Sequence, residues 1–185
     1  MRLIKFGSAD PDEVTPHDWG DIFRRKTLSD KSERLEVGVS RAQVDLIRDL
    51  LSDLEPPYRM LYVLIVPRTT EEAGRYEAPE EFTRRDIDAF LDRYGVILEQ
   101  DGRHAIWLSG ANGTLVYTPH DIIYAYGPVD EFEKRLKRRD FVVGDVSINV
   151  PHSHHYHEHF DPAVKDLLAS REWRHFPLTD MDDET

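Results

Sequence analysis

The apolar run at residues 60–66 (MLYVLIV), closed by Pro67, constrains the fold more than any other stretch of the chain. Seven residues are too few to cross a bilayer, which takes about 20. The run is also unbroken, where a half-exposed strand would alternate. It therefore reads as a strand buried on both faces, and the rest of the chain has to cover it.

The residues that follow alternate between two periods. Residues 69–79 are polar around Gly74 and predict a loop. Thr83 and Asp86 have the spacing of a helix cap, Ile87, Phe90, Leu91 and Tyr94 form one helical face, and Gly95 is placed to close it. Residues 104–108 and 114–118 flank SGANG, whose Asn112-Gly113 pair takes a positive φ cheaply, so a hairpin is expected. Pro119-His120 turns the chain into a strand at 122–126. Gly127-Pro128 then opens a helix with Val129, Phe132 and Leu136 inward. Alternation at 146–150 gives a last strand.

The order over 60–150 is βαβββαβ. The expected class is α+β, a mostly antiparallel sheet with helices packed on one face. It resembles a ferredoxin-like unit elaborated by one extra central strand, whose added reversal means the usual strand order does not carry over. Upstream, short strands are expected at 2–6 and 35–39. Ser40 and Gln43 then read as a capping box before a helix bearing Val44, Ile47, Leu50, Leu51 and Leu54. Asp161-Pro162 opens a final helix with Val164, Leu167 and Leu168. One α+β domain is expected over 1–178: an N-terminal elaboration (1–55), a sheet core (58–150), and a His-rich segment with the last helix (151–178). The stretch 179–185 (TDMDDET) reads as an acidic disordered tail.

Composition narrows the chemistry. The chain has no cysteine, which removes disulfides, thiolate nucleophiles and Cys-based zinc sites and fits a cytoplasmic protein. No leader or membrane segment is visible, so no membrane partner is expected. A formal charge of -12 argues against nucleic acid as a partner. The basic run at 134–139 fits a helix C-terminus, where cations favour the macrodipole.

The chemically loaded stretch is PHSHHYHEHF at 151–160, with His152, His154, His155, His157 and His159 in eight positions. Imidazole ligates zinc, nickel, copper and iron. In an extended chain residues two apart share a face. His155, His157 and His159 then form the favoured ligand face, with His152 and His154 on the other. Glu158 and Asp161 are acidic neighbours able to accept a ring N–H. His104 and His120, at strand ends, are within possible reach of the cluster. Zinc or nickel is the expected ion by ligand type. Three imidazoles with an open position can activate water, so hydrolysis is the simplest chemistry. No HExxH, GxSxG or Walker pattern supplies further machinery. Whether the chain is an enzyme stays open. The alternative is a non-enzymatic interaction or regulatory module, of immunity type, that binds a protein partner and no metal.

Overall fold

The computed structural model describes residues 3–8, 15–148 and 151–183. Its centre is a nine-stranded sheet built from β2 (Ile22–Thr27), β3 (Glu33–Gly38), β4 (Arg59–Leu64), β5 (Gly74–Glu77), β6 (His104–Gly110), β7 (Gly113–Tyr117), β8 (Ile122–Tyr126), β9 (Val142–Val143) and β11 (Arg174–Phe176). The order across the sheet is β11-β5-β4-β6-β7-β8-β3-β2-β9. All pairs are antiparallel except β2 with β9. A separate ribbon pairs β1 (Phe6–Ser8) with β10 (His152–His154).

Helices α1 (Gln43–Leu51), α2 (Arg84–Gln100) and α3 (Val129–Arg138) cover one face, and α4 (Asp161–Ala169) packs on α2. This is the expected α+β arrangement. Period-2 alternation sends Met60, Tyr62 and Leu64 of β4, Ile106 and Leu108 of β6, Leu115 and Tyr117 of β7, and Leu35 and Val37 of β3 into the helical layer. On its other face Val63 is fully enclosed, while Leu61 and Ile65 are half-buried. The N-terminal strands and α1 contribute Phe23, Val39, Leu46 and Leu50 to this same core. No helix among the described residues is long and apolar enough to cross a membrane.

Several local expectations give way to tertiary partners. Ser40 does not cap α1: its hydroxyl donates to Asp18 at 2.5 Å and accepts from the Gly20 N–H. The helix starts instead after Ala42, held at φ 54, and its Val44 N–H is capped by Glu99 Oε1 from the end of α2. Thr83 and Asp86 do form the capping box. Gly95 does not end α2, which runs five residues further. It marks the crossing with α1, where an added Cβ would lie 3.2 Å from the Val44 methyls. Part of the polar stretch 69–79 is strand β5, because β4 offers it a pairing edge. Residues 144–148 carry no strand pairing, and 149–150 lie outside the described residues. This segment instead turns over the open face of the sheet. Asp145 and Ser147 bond to Arg24, and Val146 packs with Phe6, Trp19 and Ile122. At the C-terminus, Thr179 takes Asp182 as a capping partner for α5 (Asp180–Asp183).

The basic end of α3 is neutralised locally, as a helix terminus would be. Arg135 makes a bidentate pair with Asp53, Lys137 reaches Glu133, and Arg139 pairs with Asp49.

Candidate metal centre

Three histidines converge where the β1–β10 ribbon meets the turn between β7 and β8. Ligating atoms of His120, His152 and His154 all lie within 4.8 Å of one another. It is the one such group of His and carboxylate side chains among the described residues. His152 and His154 share a face because they are two apart in β10. Pairing sets their depth: Phe6 lies opposite His154 and Ser8 opposite His152. The ribbon needs a glycine between these positions, since a Cβ on Gly7 would collide with the Thr15 carbonyl.

His120 comes from a turn fixed on several sides. Its carbonyl accepts from Trp19 Nε1 at 2.9 Å. Asp121, at φ 58, accepts from the Tyr117 hydroxyl at 2.6 Å. Lys5, on the strand side of the ribbon, donates to the Thr118 carbonyl at 2.8 Å, pairs with Asp121 at 3.5 Å and lies over the Tyr117 ring. Burial pulls the Lys5 ammonium down to about 8, with Asp121 acting against that shift. The buried cation thus ties the segment preceding β1 to Thr118 and Asp121, on either side of His120. The Phe6 ring packs against the imidazoles of His120, His152 and His154 and against His17.

The Nε2 atoms of His120 and His154 are 3.2 Å apart. Two nitrogens each 2.0–2.1 Å from a tetrahedral ion would be separated by about 3.3 Å, so the rings are already at ligand spacing. The same distance suits a hydrogen bond between neutral rings. Burial pushes His154 down to about 4, helped by the neighbouring charges of His152, Lys5 and His155, so its imidazole is neutral near pH 7. Neutral imidazole is the form a metal requires. The other ring nitrogen of His154, Nδ1, is buried with no hydrogen-bond partner. Such an atom costs about 1–3 kcal/mol unless something satisfies it.

The second half of the segment goes elsewhere. Among the described residues, the converging group does not include His155, His157 or His159, the face favoured by spacing. Extension stops after His157, where a short 3-10 turn (Glu158–Phe160) leads into α4, so the two-residue repeat is lost. His157 Nε2 meets the Ile4 carbonyl at 2.8 Å, and the exposed His159 ring packs edge-on to Phe160. His155 is partly buried with its Nε2 unpartnered, and burial lowers its pKa. Asp161, a candidate acceptor for a ring N–H, is occupied by Arg103 at 2.6 Å. Glu158 is exposed.

Of the two outlying histidines, His120 joins the cluster and His104 does not. His104 is enclosed in the core, 2.5 Å from the Tyr62 hydroxyl through Nδ1 and 3.6 Å from Asp101 through Nε2. Burial drives it down to about 3. The signal for His120 was present but weak: a histidine in a Pro-His-Asp turn at the end of a strand that must pair.

Comparison with known proteins adds no relative, since no protein-family model, curated protein or solved structure matches the chain.

Proposed function

We propose that this chain binds one divalent transition-metal ion through His120, His152 and His154. The observation that carries the reading is the convergence of three imidazoles from two separate elements, with two ring nitrogens already at the spacing of a shared ion. The low pKa of His154 supports it, because no proton has to be displaced at neutral pH. Zinc and nickel suit an all-imidazole site. Three protein ligands would leave a position for water, and the exposed His152 leaves the cluster open to solvent on one side. Hydrolysis is the simplest reaction such a centre supports, with the ion lowering the pKa of its water.

The test is metal content by elemental mass spectrometry on protein made without a His tag and never exposed to a nickel column. The expected result is about one equivalent that survives dialysis. It should be lost in His120→Ala and His154→Ala and kept in the His155/His157/His159 triple alanine variant. Protein that stays metal-free after equilibration with zinc and nickel overturns the reading, as does full occupancy in His154→Ala. The acidic interaction module would then be the better account of the chain.

A further inference from the structure

The sheet carries a second built feature, on the face away from the helices and distinct from the histidines. Cross-strand register sets Leu61 beside Trp107 and Arg59 beside Ser109. On the other side it sets Leu61 beside Glu77, and Arg75 beside Phe176. Directly paired residues project to the same face, so these side chains form one patch. The chain after β11 folds over its edge through Pro177 and Thr179 and converts the patch into a groove of about 540 Å³. That volume lies within the range of about 300–1,000 Å³ typical of small-molecule sites.

The lining defines a ligand. Trp107 and Leu61 supply a flat apolar floor, and Phe176, nearly half exposed, supplies an apolar wall. Arg75 lies over the Trp107 ring in a cation–π contact, its guanidinium carbon 5.3 Å from the ring centroid. A guanidinium carries five N–H donors in a rigid fork that matches a planar carboxylate. Its nearest acid, Asp182, is 4.0 Å away, beyond hydrogen-bond range. Arg59 is paired at 3.0 Å with Glu81, but both are well exposed, and such a pair exchanges readily for a ligand. Glu77 lies beside Leu61, in the row between those of Arg75 and Arg59, and opposes a second negative charge on the ligand.

The geometry points to a binding site for a planar aromatic molecule bearing a single carboxylate, its ring in the groove among Leu61, Phe176 and the edge of Trp107 and its carboxylate held by the lining arginines Arg75 and Arg59. The test uses naphthalene-2-carboxylate and its neutral carboxamide, titrated by calorimetry into metal-stripped protein so that the outcome is independent of the histidine site. The carboxylate should bind saturably, with a Kd below about 1 mM, and at least about tenfold more tightly than the carboxamide. Arg75→Gln should remove most of that tenfold preference and leave carboxamide binding within about twofold. Trp107→Leu should weaken both ligands. Arg59→Gln, at an exposed position, carries the charge test if Arg75→Gln fails to fold. No saturable carboxylate binding, equal affinity for the two ligands, or an unchanged preference in the folded arginine variants overturns the assignment.

Discussion

The two halves of PHSHHYHEHF are both rich in histidine and have opposite uses. In the first half, His152 and His154 sit on a paired strand and present both rings to His120. In the second half, the backbone itself is the contact. The His155 N–H and carbonyl bond to Lys5 and Gly102, the His157 N–H donates to Asp101 Oδ2 at 3.0 Å, and Arg103 donates to the His157 carbonyl at 2.8 Å. Arg103 is the anchor, 1% exposed and bridging Asp101 and Asp161. The comparison teaches that a histidine-dense stretch has no single function. Whichever half is held by its backbone positions the half that offers its rings.

The largest expected effect breaks the anchor. Arg103→Met leaves Asp101 buried without its ion-pair partner. It should cost about 3–5 kcal/mol in chemical denaturation, because an uncompensated buried charge is the expensive state. A loss under about 1 kcal/mol would mean the second half is not held this way. Metal affinity comes next. His154→Ala should weaken binding by about 100-fold or more in a competition titration with a chromophoric chelator, whereas His157→Ala should stay within about tenfold as a neighbour of the site. If the two variants lose equal affinity, the division between the halves is wrong.

The third prediction concerns pH and the core histidine beside the anchor. His104 is held down to about 3, far below its ordinary 6.5, by burial. Between those values the unfolded chain binds a proton that the folded chain refuses. Stability therefore falls as pH falls from 6.5 towards 3, by about 1.4 kcal/mol per unit from this one group. Asp101, also held below its ordinary value, is deprotonated in the fold and loses stability in the same direction at the acid end. His104→Gln, which cannot titrate, should show a shallower slope in urea unfolding between pH 6 and 4, and identical slopes would refute the linkage. The smallest effect is expected far from both halves. Lys134→Ala removes an exposed pair with Glu131 on α3 and should leave the urea midpoint unchanged within experimental error.

Much of the architecture was legible because it depends on short-range pattern. The β4 run, the Asn112-Gly113 hairpin, the Thr83–Asp86 capping box and the α3 face each rest on residues within a few positions of one another. Ser40 and Gly95 misled because each had a stronger distant partner, Asp18 in one case and Val44 in the other. Strand β2 carries three consecutive cations, Arg24, Arg25 and Lys26, a composition that by itself carries no strand signal. Glu36 on the neighbouring strand pairs with Arg24 and Lys26 and lets that sequence lie in a sheet.

The sequence by itself determined the α+β class, the absence of cysteine chemistry and the concentration of imidazole in one ten-residue stretch. It did so because periodicity and composition are properties of neighbours along the chain. Only the tertiary structure decided which imidazoles meet. His120 is 34 residues from its partner His154, and their approach depends on β1 pairing with β10, on the Lys5 tie to Thr118 and Asp121, and on the 3-10 turn that ends the extended run. Convergence at one point is a property of closed loops and packed faces, and residues adjacent in sequence carry no record of it.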